Sequence, residues 1–306
     1  MIGPVSAYGW GMSGNTQYVK RGLFVIAGMA IVVAAIFALI EVRTLTKVRT
    51  VTEERPAVAE LVAHKAIYSL KLGTVRAGSN FVGAEGSMSM EMQKTCFGWT
   101  LSQSLRMDLA LPDGGIITQD LRFTAWESTD KTGYRFFASN IVNGTREDFR
   151  GRALMEKSGG VGNANFQQPK GVKIPLPEGT IFPLGHTNWL IQKALAGERH
   201  ATATVFDGAD GEGPQQVTAF IGPRLGPEEH MGKDMIAAQG PLVDQPGWKI
   251  RMAFYTLDSQ AAAPDYEVEI LQLENGVTPM LLLDYQDFTV ILTQEKIEAL
   301  PVQNCQ

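Results

Sequence analysis

The segment LRMDLALPDGG, residues 105–115, places an apolar side chain at every second position and then breaks. Leu105, Met107, Leu109 and Leu111 fall on one side of an extended chain, Arg106 and Asp108 fall on the other, and Pro112-Asp113-Gly114-Gly115 supplies a turn. Successive side chains of a strand point to opposite faces, so this pattern predicts a strand with one face in a core. A helix would need its apolar residues three and four positions apart.

The same period recurs in both directions. Ala66, Tyr68, Leu70 and Leu72 share one face opposite Ser69 and Lys71, and Met88, Met90 and Met92 alternate with Ser89, Glu91 and Gln93. Further strands are predicted near 116–128, 133–142, 145–156, 200–207, 215–222, 247–257, 265–274 and 277–292. Asn143-Gly144 and Asn275-Gly276 fall between such segments and tolerate the positive φ of tight hairpins, which implies antiparallel neighbours. So many strands in one chain favour a strongly bent sheet, a spiral or an open barrel, over a flat one. One helix interrupts the series, predicted from Thr187 as N-cap to Ala196, with Gly197 as its stop; Pro175, Pro177, Gly179, Pro183 and Gly185 make an irregular approach to it. Ser158-Gly159-Gly160-Val161-Gly162 reads as a glycine-rich, mobile loop.

The chain has 306 residues, 44% of them apolar, and a formal net charge of −5. It can bury a sizeable core, and its charge argues against a nucleic-acid partner. Residues 1–21 read as a polar, small-residue leader. Gly22 to Ile40 then carries no charged residue, and as a helix at about 1.5 Å per residue it reaches across roughly 28 Å, a bilayer core. It is read as a single membrane-spanning or signal helix. Its length, and the exit through Glu41-Val42-Arg43 without a nearby small-x-small site, favour a retained inner-membrane anchor over a cleaved signal peptide. Residues 41–60 form a charged, Thr-rich linker, and 61–306 form the β domain. Basic residues conflict on orientation: Lys20 and Arg21 precede the run, whereas Arg43, Lys47, Arg49 and Arg55 follow it, which taken alone would leave the β domain in the cytoplasm.

Two cysteines, Cys96 and Cys305, lack the spacing of a thiolate zinc site. Two unrelated buried thiols are one reading; a disulfide is favoured because the chain carries an export signal and Cys305 would tie down a chain end. Such a bridge is worth roughly 5 kcal/mol at most in the chain-entropy model. Chemistry-bearing patterns are otherwise sparse. His64, His186, His200 and His230 have no spacing that promises convergence with carboxylates. Asp207-Gly208-Ala209-Asp210-Gly211-Glu212 lacks the alternate ligands of a calcium loop and reads as a strand-ending turn. There is no dinucleotide fingerprint and no nucleophile elbow, so no catalytic residue, metal or cofactor is assigned.

Several short motifs occur together and in order: His64-Lys-Ala-Ile-Tyr68-Ser-Leu70, Cys96-Phe-Gly98-Trp99, Gly179-Thr180-Ile-Phe182-Pro183, His186-Thr187, Val205-Phe206-Asp207-Gly208 and Asp284-Tyr285-Gln-Asp287-Phe288. With a near-terminal Cys they resemble the EipB-type envelope-integrity proteins of alphaproteobacteria, over about residues 61 to 306. The resemblance implies a periplasmic, non-enzymatic domain with a spiralled antiparallel sheet, a Cys96–Cys305 disulfide and support of the envelope under stress. It decides orientation in favour of export. Partners expected on this basis are other envelope proteins or lipids. A carrier of acyl chains in a concave sheet is the alternative, motivated by the Met88-Met90-Met92 face, since thioethers adapt to varied apolar ligands. An envelope hydrolase is the remaining one.

Overall fold

The computed structural model describes residues 60–303 and 305. The leader, the apolar segment 22–40 and nearly all of the linker predicted above lie outside the described residues. Among the described residues no helix is long and apolar enough to cross a membrane.

The first half of the domain is a run of strands: β1 (His64–Val75), β2 (Gly83–Thr95), β3 (Gly98–Ala110), β4 (Ile116–Ser128), β5 (Gly133–Val142), β6 (Thr145–Met155), β7 (Gly162–Gln168) and β8 (Lys173–Leu176). After β9 (Thr180–Ile181) comes helix α1 (Pro183–Leu195). Then follow β10 (His200–Val205), β11 (Gln215–Leu225), two short helices, α2 (Pro227–His230) and α3 (Lys233–Gln239), and β12 (Gly247–Thr256), β13 (Tyr266–Leu273), β14 (Met280–Asp284) and β15 (Phe288–Ala299). The sheet is mostly β1-to-β15 in sequence order, but cut elsewhere: it runs β8 back to β1, then β15 back to β9. First and last strands are therefore neighbours, and among the described residues the one break in the ring falls between β8 and β9. Those two strands are four residue steps apart along the chain, at most about 14 Å, so the two edges of the sheet must return close to one another. The result is a nearly closed, barrel-like sheet around a central helix.

Alternation places the core. In β3 Leu101, Gln103, Leu105, Met107 and Leu109 are buried, and in β4 Gln119, Leu121, Phe123, Ala125 and Glu127 are buried. The edges are blunted: β9 has two residues, and β8 exposes Lys173 and Pro175, both poor templates for another strand. The hairpin at Asn143-Gly144 has φ of 48° and 81°, as a tight primed turn requires.

Several expectations are corrected. α1 begins at Pro183, not at Thr187: proline suits the first helical position, and the Thr187 hydroxyl donates to the Pro183 carbonyl at 3.2 Å from inside the helix. Its end is as read, with Gly197 at φ 78°, its N–H donating to Ala194 O, and Glu198 N–H donating to Lys193 O. The segment 277–292 is not one strand but β14 and β15, split by a turn at Tyr285–Asp287 in which Gln286 has φ 68°. The glycine-rich loop is a turn between β6 and β7, closed by Gly160 N–H to Lys157 O and Glu156 N–H to Val161 O. Strands β7, β8 and β9, and helices α2 and α3, are additional to those expected from the sequence. One strand pair, β9 with β10, is parallel, joined by α1 as its crossover.

Cys96 sits in the β2–β3 turn and Cys305 follows β15, with Cα atoms 5.4 Å apart and the two sulfurs bonded. The bridge spans 209 positions. It ties the C-terminal tail across the place where β1, β2 and β15 lie side by side. Replacing both cysteines by serine is expected to lower stability by about 2–5 kcal/mol, read as a fall in the urea midpoint; an unchanged midpoint would show that the bridge adds nothing to closure.

Candidate functional site

The interior is organised by the N-terminal end of α1. The first turn of a helix leaves N–H groups without partners, and here no side chain at Phe182 supplies one. Instead Glu127 reaches inward from β4: its Oε2 accepts from Leu184 N–H at 3.0 Å and its Oε1 from Gly185 N–H at 2.8 Å. A Cβ on residue 185 would lie 2.8 Å from Glu127 Oε1, so glycine allows this approach. Burial pushes the Glu127 carboxyl up to about 7, against the opposing pull of the two N–H donors.

On one side of this cap lies an aromatic cluster. Tyr134 stacks on Phe182 at 4.6 Å, and Phe136 meets Phe166 at 5.0 Å and Phe206 at 5.6 Å. Tyr134 and Phe136 come from β5 and Phe166 from β7, whereas Phe182 precedes α1 and Phe206 follows β10. The cluster thus joins the two sides of the β8/β9 break, where no ladder does. Asp207 and Gly208 serve it. The Tyr134 hydroxyl donates to Asp207 O at 2.8 Å, Asp207 Oδ1 accepts from Ala209 N–H at 2.9 Å, and Gly208, at φ 70°, would carry a Cβ 2.6 Å from the Phe136 ring. Burial pushes the Asp207 carboxyl up to about 6.

On the other side is a small cavity of about 90 Å³, lined by the Met88, Met90 and Met92 thioethers of β2, by Tyr68, by Gln103 and by His186. The Gln103 Oε1 is buried without a hydrogen-bond partner. Burial holds the His186 imidazole at about 3, and its ring stacks against Trp189 at 5.7 Å. Pockets that hold drug-sized ligands run from about 300 to 1,000 Å³, and the space here lies below that range. The methionine face packs an interior with a residual void beside it.

The other motif residues are structural and scattered. His64 is buried, with Nδ1 2.8 Å from Val62 O. The Tyr68 hydroxyl donates to Thr278 O at 3.0 Å. Gly98 lets β3 pass against the Glu127 carbonyl, where a Cβ would clash. Half-buried Trp99 packs on the core with Lys94 over its ring at 5.8 Å. Asp284 receives Arg76 through two contacts of 2.7 and 2.8 Å, with Arg251 at 3.6 Å. Burial opposes its ionisation, yet these arginines hold its carboxyl below the usual carboxylate range. The structure therefore brings Tyr68 and His186 to one cavity and Asp207 and Gly208 to one cluster, and leaves Asp284 in a separate ion pair. Among the described residues no group of three or more His, Cys, Asp or Glu side chains is placed to hold a metal.

Glu127 was missed, although its position was visible: it continues the inward series 119, 121, 123, 125, where a carboxylate demands a partner.

The model of the EipB-like family matches residues 55–301. The chain belongs to the EipB-like family. A similar relative is the cell envelope integrity protein EipB of Brucella abortus (strain 2308), 26% identical over 237 residues, which covers 76% of this chain and 82% of the relative. A similar solved structure is the β-barrel-like protein of a domain of unknown function, DUF1849, from Brucella abortus. It has a TM-score of 0.71 and 25% identity, over 79% of this chain and all (100%) of that one. That structure thus shares the fold of this chain.

Glu127→Ala is expected to cost about 2–3 kcal/mol at pH 5, from the lost cap and two orphaned N–H groups, measured by urea unfolding. The wild-type carboxyl keeps its proton up to about 7 when folded and only to 4.5 when unfolded, so its contribution is full below 4.5 and is lost as pH rises to about 7. The gap between wild type and variant should therefore narrow across that window. A gap that widens toward pH 7.5 would contradict the protonated cap.

Proposed function

We propose that this chain is a non-enzymatic periplasmic protein that supports cell-envelope integrity by binding other envelope components. The observation that carries the reading is family membership joined to the envelope-integrity role in the name of a relative matched over 82% of its length. The interior is consistent with it. Several of its buried polar groups serve structure: Glu127 caps a helix, Asp207 orders a turn, and Tyr68 and Tyr134 bind carbonyls. What remains to meet a partner is the outer face of the sheet. Export through residues 22–40, with the segment retained as an anchor, is the route this reading uses.

Deleting the protein from its own cell is expected to raise sensitivity to detergents and cell-wall antibiotics, with resistance restored by the full chain but not by a form that cannot be exported. Unchanged sensitivity would overturn the reading.

A further inference from the structure

Three arginines and two aromatic rings meet on the outer face of β4, β5 and β6. The register sets Trp126 opposite Arg135 and Arg135 opposite Arg152, while Thr124 lies opposite Phe137 and Phe137 opposite Arg150. The Arg135 guanidinium lies 5.0 Å from the centre of the Trp126 ring, and that of Arg150 lies 4.9 Å from the Phe137 ring. The rings are half-buried and the arginines exposed. A groove of about 410 Å³ runs among them, also lined by Thr100, Thr124 and Gln167.

The charge here is not balanced by the fold. Arg76, Arg106, Arg146, Arg224 and Arg251 each have a carboxylate within ion-pair distance. Among the described residues Arg135, Arg150 and Arg152 form no ion pair. Like charges directly opposite each other on adjacent strands destabilise a sheet, and Arg135 faces Arg152 in that way within a chain of net charge −5. Stacking on the rings fixes the guanidinium planes of Arg135 and Arg150, so the donors of these two are held in place before any ligand arrives. Planar guanidinium donors match the oxygens of phosphate, which they bind through paired, charge-assisted hydrogen bonds.

We propose that this groove binds a phosphate-bearing saccharide, with the phosphate between Arg135, Arg150 and Arg152 and sugar hydroxyls on Thr100, Thr124 and Gln167. The volume lies within the range of small-ligand sites. Neutral hydrogen-bonding groups flanking the arginines suit sugar hydroxyls better than a lipid surface, which would call for a broad basic face. The inference rests on the reading of the chain as a binder of envelope components and names the chemistry of one of them.

The test uses the full chain and a phosphorylated mannose pentasaccharide as probe, by calorimetry. The comparisons are the same oligosaccharide after phosphatase treatment and vesicles of phosphatidylglycerol in phosphatidylcholine. Expected is salt-sensitive binding of the phosphorylated probe, none of the dephosphorylated one, and about tenfold or more weaker binding by R135Q/R152Q. The same double substitution should leave the thermal midpoint unchanged or raised, because it removes an opposed like-charge pair. The proposal is overturned by absent binding, by equal binding of the dephosphorylated probe, by binding that R135Q/R152Q leaves intact, or by vesicles bound in preference to the oligosaccharide. If binding is absent while the deletion phenotype stands, this site alone fails. If the phenotype is absent, the reading beneath it fails.

Discussion

The backbone ladder between His64–Val75 and Phe288–Ala299 joins the two ends of the domain, pairing His64 with Ala299 and Val75 with Phe288. Without it the sheet would divide into two, β1 to β8 and β9 to β15, each with a full-length free edge exposed to pairing with other chains. With it, sequence order becomes spatial order around a ring. Closing so long a loop is entropically costly in the unfolded chain, though the cost grows only slowly with length. The Cys96–Cys305 bond lies beside this ladder and removes part of that freedom before folding begins.

Closing the ring at its ends moves the opening to the opposite side, between β8 and β9. Among the described residues no strand ladder spans that break, and side chains do. Phe182 and Phe206 from one side meet Tyr134, Phe136 and Phe166 from the other. Aromatic pairs add about 0.5–1.5 kcal/mol beyond their buried area, and several act together here. Glu127 adds a directional link, binding the first turn of α1 to β4. The helix is therefore held from both sides of the break, and it fills an interior that fifteen strands would otherwise leave empty.

Much of this was legible in the sequence because a half-buried strand writes its period into the chain. The segments at 116–128 and 133–142 match β4 and β5, and the Asn143-Gly144 turn matches its hairpin. β7 and β8 were not legible. In GNANFQQ and KIPL the inward positions are Gly, Ala, Phe, Ile and Leu, too few and too small to show a period beside so many polar neighbours. The helix start was hidden because Pro183 and Gly185 look like breakers until a distant carboxylate satisfies the N–H groups they accompany. The split after Asp284 was hidden because apolar stretches, Met280–Leu283 and Phe288 onward, lie on both sides of a short turn that Gln286 makes at positive φ. The motif residues were legible as a set but not in their roles, since Gly98, Asp207 and Gly208 act through packing that only the fold reveals. The arginine groove needed the register of three strands, which no single segment contains.

Native-state hydrogen exchange along β1 and β15 tests the closure most directly. If this ladder holds the ring together, its amides should exchange only through global unfolding, with the same free energy as the unfolding measured in urea. On reduction of Cys96–Cys305 both free energies should fall together. Exchange of β1 and β15 at a much lower free energy than that of β3 to β5, with the remaining sheet still protected, would contradict the account and show that the ring stands without its joined ends.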